Sequence, residues 1–300
     1  MIHDNELAPS PTGSHRTQGS HLTMTQDPQD SGNATRPRSL RLMVGSVIAG
    51  VVAVALILIA VMWLGSFASP SKESKAAARE IDLASLTESS THSQITSAPA
   101  DPAPHETTDG GIVHPRKMTA IHAAPNGEPI GKIGPEQLGD TWLPVVGKQD
   151  GWVQVLLPSK PNSSTGWMRS SGLDNAMTPY LIKVHLESMT MELLFEGEEV
   201  DTWTIGIGKP DTPTPTGRTF LLGSIVDPKQ QYSPVILPLG AHSDTLDSFG
   251  GGPGTVAIHT WPTTDVLGTA TSHGCIRIPQ DALNRLTEVP LGTLVLVDQE

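Results

Sequence analysis

Cys275 is the single cysteine of the chain, and it lies in the run Ser272-His273-Gly274-Cys275-Ile276-Arg277. A second histidine, His259, stands upstream, with twelve residues between it and Ser272. A thiol is a competent acyl nucleophile only as thiolate, and its ordinary pKa of about 8.5 leaves it mostly protonated at neutral pH. It therefore needs a base within hydrogen-bond reach, and a histidine is the usual one. The spacing suits that pairing. Val256-Ala257-Ile258 reads as a buried strand ending at His259, and Cys275-Ile276-Arg277-Ile278 as the next strand. Adjacent strands would bring the two side chains together. Gly274 removes a side chain from the approach to the thiol and lets backbone N–H groups face a developing oxyanion. Ser272 and His273 are placed to orient that turn or line the site.

Other readings of the same residues exist. Free cysteines are often simply buried. His259, His273 and Cys275 could instead hold zinc, although the sequence supplies no close-spaced fourth ligand. A papain-like peptidase also pairs Cys with His, but there the cysteine precedes the histidine and opens a helix, whereas here the order is reversed.

The elements that must position this pair are mainly β. Tyr180–Leu186 and Met189–Phe195 read as a hairpin, followed by strands at 200–207, 219–222, 235–237 and 256–258 and a final buried strand at 294–297. One helix is expected from Pro279 to Glu288, with Ala282, Leu283 and Leu286 at helical spacing. Upstream, residues 112–175 carry short strands around Met118–His122, Thr141–Val146, Trp152–Leu157 and Thr165–Arg169, with a hairpin turn at Asp150-Gly151. Two Gly-Trp strand starts in this stretch resemble a bacterial SH3-like module, a type that often binds cell-wall peptide. Trp142, Trp152 and Trp167 are assigned mostly to its core.

The remaining segments are not globular. Residues 1–39 have a polar composition without apolar periodicity and read as a disordered tail. Leu42 to Leu64 contains no charged residue and is long enough for one membrane span, which needs about 20 residues. As a cleavable signal peptide the run is too long and begins too far into the chain. Residues 68–111 read as a flexible linker with a reach of roughly 35–40 Å, beginning with a short helix over Lys72–Leu86. A net charge of −12 argues against a nucleic-acid partner. Gly (29) and Pro (26) together exceed one residue in six, which suits turn-rich β structure.

The stretch from His259 to Arg277 resembles the active-site signature of the L,D-transpeptidase catalytic domain. Thr212-Pro213-Thr214-Pro215-Thr216-Gly217 is similar to a Thr-Pro-Thr-Gly segment of the same domain, and the resemblance covers about residues 179–298. It implies a β-sandwich fold, with Cys275 as nucleophile and His259 as general base and later acid. It further implies that His273 and Gly274 shape the oxyanion site with the Cys275 amide, and that Arg277, Trp261, Thr216 and Gly217 lie near substrate. Many members have Gly after the first histidine, where this chain has Thr260 followed by Trp261. If the residue-260 carbonyl orients the histidine ring, Thr can supply it.

The implied reaction joins peptidoglycan stem peptides by 3→3 cross-links through a thioester, with no metal or organic cofactor and with carbapenem-type β-lactams as covalent inhibitors. That substrate lies outside the cell membrane, so the expected topology is single-pass with a cytoplasmic N-terminus. The rivals kept open are an L,D-carboxypeptidase, the papain-like peptidase and a non-catalytic wall-binding anchor.

Overall fold

The computed structural model describes residues 81–249 and 252–300. The tail at 1–39 and the span at 42–64 lie outside them. Among the described residues no helix is long and apolar enough to cross a membrane.

The first β region comprises β1 (Gly111–Pro115), β2 (Thr119–His122), β3 (Pro129–Ile133), β4 (Leu143–Gln149), β5 (Trp152–Leu156), β6 (Thr165–Arg169) and β7 (Leu173–Met177). They hydrogen-bond in the order β3-β2-β6-β5-β4-β1-β7, with β3 and β7 at the two ends. The turn expected at Asp150-Gly151 joins β4 to β5, with Gln149 opposite Trp152. Both turn residues have positive φ, 40° and 82°. That backbone matches the twist of a two-residue hairpin, and Asp-Gly adopts it readily. Of the three tryptophans assigned to this core, Trp152 is buried, whereas Trp142 and Trp167 are half-buried.

The second region starts with β8 (Tyr180–His185), β9 (Thr190–Phe195), β10 (Glu198–Thr204), β11 (Ile207–Gly208) and β12 (Gly217–Phe220). It continues with β13 (Ile236–His242), β14 (Thr255–His259), β15 (Ala270–Ser272), β16 (Ile276–Arg277), the helix α1 (Gln280–Leu286) and β17 (Leu294–Asp298). One sheet runs β10-β9-β8-β17-β12 and a second runs β13-β14-β16. The apolar alternation of β8 and β9 sends Ile182, Val184, Met191 and Leu193 into a core shared with Leu237, Ile258 and Ile276 of the second sheet. Ala282, Leu283 and Leu286 of α1 close the same core, as their spacing predicts. The strand expected over 200–207 is interrupted after Thr204 and resumes as the short β11, which pairs with β15 rather than with the main sheet.

Two expectations need correcting. Residues 81–110 are not a free linker. Ser89 N–H donates to Lys132 O of the end strand β3, and Ile95 N–H to Lys160 O and Asp101 N–H to Ser163 O in the loop between β5 and β6, so the segment is bonded along the first region. Ile95 is buried there. Asp101 forms a buried ion pair with Arg218 of β12, through contacts of 2.5 and 2.6 Å. Its Ser, Thr, Ala and Pro composition resembles a linker because edge bonding uses backbone, which composition cannot register. Of the helix expected over 72–86, the described part holds only a 3-10 turn at Leu83–Ser85.

The second correction concerns the boundary between the β regions. The core of the first region also contains Phe220, Leu222 and Leu294 of the second. The two regions thus share apolar packing, and the described residues belong to one compact unit.

Candidate active site

β14 and β16 run parallel, with Ile258 level with Ile276 and His259 level with Arg277. Cys275 immediately precedes β16 and so stands level with Ala257. Side chains alternate along a strand. Cys275, Arg277, Ala257 and His259 therefore share one sheet face, with Cys275 and His259 as diagonal neighbours. Diagonal positions lie about 7–8 Å apart, within reach of an aromatic ring. This is the arrangement the sequence requires for a nucleophile–base pair. Cys275 borders a strand and opens no helix, which removes the papain-like geometry.

The His259 ring is buried, and its Nδ1 lies 2.7 Å from the Thr260 carbonyl oxygen. A carbonyl only accepts, so Nδ1 carries the proton and Nε2 is left as acceptor. Burial pushes the His259 pKa below its usual value, partly opposed by the Thr260 hydrogen bond, and Arg277 lowers it further. Burial likewise pushes the Cys275 thiol up, against the lowering effects of the Ala257 backbone and Arg277. Both shifts run against charge on either group and so favour the neutral pair of thiol and imidazole.

The turn before Cys275 is held from inside. Ser272 Oγ donates to Cys275 O at 2.5 Å and accepts from Gly274 N–H at 3.1 Å. Gly274 has φ +114°, a backbone region that disfavours any side chain. Its N–H is occupied by Ser272, so its contribution is the shape of the turn. His273 is exposed and stacks on Phe249, with ring centroids 4.9 Å apart. Among the described residues no group of three or more His, Cys, Asp or Glu side chains converges as a metal site.

The Thr-Pro-rich segment supports this turn through residues other than those expected. Thr214 Oγ1 donates to Gly274 O at 2.9 Å and accepts from Gly208 N–H at 3.0 Å. Thr212 Oγ1 donates to Ser272 O at 3.2 Å. Thr216 is exposed, and Gly217 begins β12 facing Ser163 and Pro104 of the preceding region. Among the described residues neither Thr216 nor Gly217 hydrogen-bonds to the Cys275 turn; the threonines at alternate positions, Thr212 and Thr214, do.

Arg277 and Trp261 do come together. The guanidinium lies 4.2 Å above the indole ring, and Nη1 donates to Thr271 Oγ1 at 3.1 Å. Among the described residues Arg277 has no carboxylate partner. Trp261 also meets Tyr232 at 5.5 Å, and Tyr232 packs edge-on against His259 at 4.9 Å. Sequence reasoning missed Tyr232, which lies in a Gln- and Pro-rich loop without a motif. A cavity of about 310 Å³ adjoins this aromatic wall, lined in part by Tyr232, Thr260, Trp261, Leu267 and Ile278.

A family model described as YkuD, L,D-transpeptidase catalytic domain, matches residues 179–297. Two curated relatives, from Bacillus licheniformis and Bacillus subtilis, bear the name "Putative L,D-transpeptidase YkuD". Each is 30% identical over 152 residues, covering 48% of this chain and 85% of the relative. Among solved structures, the catalytic domain of an E. faecium L,D-transpeptidase is 26% identical and covers 41% of this chain and 98% of its own, with a TM-score of 0.32.

Proposed function

The chain belongs to the L,D-transpeptidase family of cysteine-dependent acyltransferases, and from that membership we propose that it is a membrane-anchored enzyme forming 3→3 cross-links in peptidoglycan. The observation that carries this reading is the placement of Cys275 and His259 on one face of paired parallel strands, with the ring proton held on Nδ1 by Thr260.

The steps follow from that placement. Cys275 Sγ attacks the carbonyl of the third stem residue while its proton passes to His259 Nε2. The neutral resting pair makes this transfer concurrent with attack. The Cys275 N–H, at the turn fixed by Gly274 and Ser272, faces the developing oxyanion. The C–N bond to the terminal D-Ala then breaks, and His259 returns the proton to the leaving amine. A thioester remains. The side-chain amine of a third residue on another stem attacks it, loses its proton to His259, and expels the Cys275 sulfur, which recovers that proton. Arg277, without a carboxylate partner of its own, meets a donor carboxylate, and the cavity beside Trp261 accommodates substrate.

The span at 42–64 anchors the chain with its N-terminus inside, and an SH3-like module over 112–175 lies between anchor and catalytic domain. The export topology agrees with a substrate found outside the membrane.

Incubation with a disaccharide-tetrapeptide and mass analysis tests the reading. Dimer plus free D-Ala is expected. Tripeptide without dimer would replace the amine acceptor by water and make the enzyme a carboxypeptidase. Cys275→Ala should abolish both products, and retained turnover would end the mechanism. A carbapenem should add one covalent equivalent at Cys275, because its strained lactam presents a carbonyl to the same thiol. No adduct under turnover conditions would count against this.

A further inference from the structure

Ser233 lies in none of the motifs above, yet it is the most connected side chain behind the histidine. Its Oγ accepts from the Thr260 N–H at 3.0 Å and from the Thr260 hydroxyl at 3.0 Å. It donates to Val235 O at 2.5 Å. A hydroxyl has one proton and two lone pairs, so these three bonds saturate it. The one proton of Thr260 Oγ1 is shared between Ser233 Oγ and Tyr232 O, which lies 3.2 Å away. Ser233 and Thr260 are both buried, at 5% and 6% exposure, so water does not readily replace these bonds.

The network has two outputs at the active site. Thr260 presents the carbonyl that accepts from His259 Nδ1. Tyr232 presents the ring that packs edge-on against the other side of the imidazole. One side chain thus fixes both the hydrogen-bond partner of the ring and the wall that limits its rotation. A glycine at 260 would keep the carbonyl but lose the hydroxyl. The link to Tyr232 through Thr260 Oγ1 is therefore particular to chains with a hydroxyl at that position.

We propose that Ser233 is a positioning residue for the base: through Thr260 and Tyr232 it holds the His259 ring in the tautomer and orientation that leave Nε2 facing Cys275. The inference rests on His259 acting as the base in the reading above. Misplacement of a reacting group by about 1 Å can cost around a hundredfold in rate, and Ser233 is suited to prevent such a shift.

The test uses the full chain in detergent micelles, labelled with ¹⁵N in its histidine rings, with the His259 signal assigned by its loss in His259→Asn. The wild-type ring should be the pure Nδ1–H tautomer. Ser233→Ala should mix the two tautomers and lower kcat by about tenfold or more, with KM within about threefold. Thr260→Val keeps the amide bond to Ser233 but removes the hydroxyl, and should give a smaller loss in the same direction. Thr260→Ser should restore wild-type behaviour. The double variant should lose less than the sum of the single losses, because both act on one network. If Ser233→Ala does not fold, the Thr260→Val and Thr260→Ser pair decides by the same ring signal. A wild-type tautomer ratio with kcat within twofold in Thr260→Val and Ser233→Ala would overturn the proposal. So would a loss confined to melting temperature or KM. The ring signal does not depend on which acceptor the enzyme uses, so failure of the cross-linking assay alone would leave this result readable.

Discussion

At the residue scale, the site sets a buried imidazole beside a partly buried thiol, and both groups are shifted toward their neutral forms. In the proposed mechanism His259 must be unprotonated to take the thiol proton, and its pKa is depressed mainly by burial. Activity should therefore persist below pH 6.5, the ordinary histidine value, with the acid limb of kcat/KM below that point. A limb centred at or above 6.5 would contradict the buried geometry. The thiol is raised in the same way. In His259→Asn, alkylation of Cys275 by iodoacetamide should rise only above the ordinary cysteine range of about 8.5. Rapid alkylation at pH 7 in that variant would mean that a thiolate is already stabilised, and that concurrent proton transfer is the wrong account.

At the element scale, two strands place the reacting groups, and a segment distant in sequence holds the turn between them. Thr214 is buried and bridges Gly208 and Gly274. Thr214→Val keeps the shape but leaves a buried N–H and a buried carbonyl unpaired. Each such group costs about 1–3 kcal/mol, so a loss of about 2–6 kcal/mol is expected in urea unfolding, together with slower carbapenem acylation. Thr216→Val, at an exposed position, should stay within about 0.5 kcal/mol of wild type. The reverse ranking would return the functional contact to Thr216. This contrast also shows what the sequence could and could not convey. The Thr-Pro-Thr segment was legible as part of the site. Which of its threonines face Cys275 depends on the path of the chain after β11, and that path is set by packing against β15.

At the scale of the whole molecule, the two β regions are joined by more than chain continuity. Arg218 and Asp101 are almost fully buried together, at 3% and 0% side-chain exposure. Removing one partner strands the other charge in the interior. Asp101→Asn should therefore destabilise the protein by about 3–5 kcal/mol, whereas replacing both residues with apolar ones of similar size should cost much less. Thermal unfolding of the single and double variants would decide it. Equal losses would mean that the strap at 81–110 is held by its backbone bonds alone. The shared core of Phe220, Leu222 and Leu294 with the first region makes one cooperative transition the expected behaviour. Two well-separated melting steps would speak against a common core.

The sequence by itself determined the chemistry and most of the elements. A lone thiol, a histidine after an apolar strand and a glycine between Ser272 and Cys275 are residue types with few alternative uses, and the alternation of β8 and β9 and the continuous apolar run of β17 carry their own signal. The tertiary structure alone decided three matters. It set the parallel register that brings Cys275 diagonal to His259. It recruited Tyr232 and Ser233, polar residues without a motif, and chose Thr214 within the Thr-Pro segment, roles that exist only where buried donors and acceptors must find partners. And it folded residues 81–110 against both β regions. The physical reason is common to all three. Backbone bonding and buried polar pairing are long-range contacts, and neither leaves a local trace in composition or spacing.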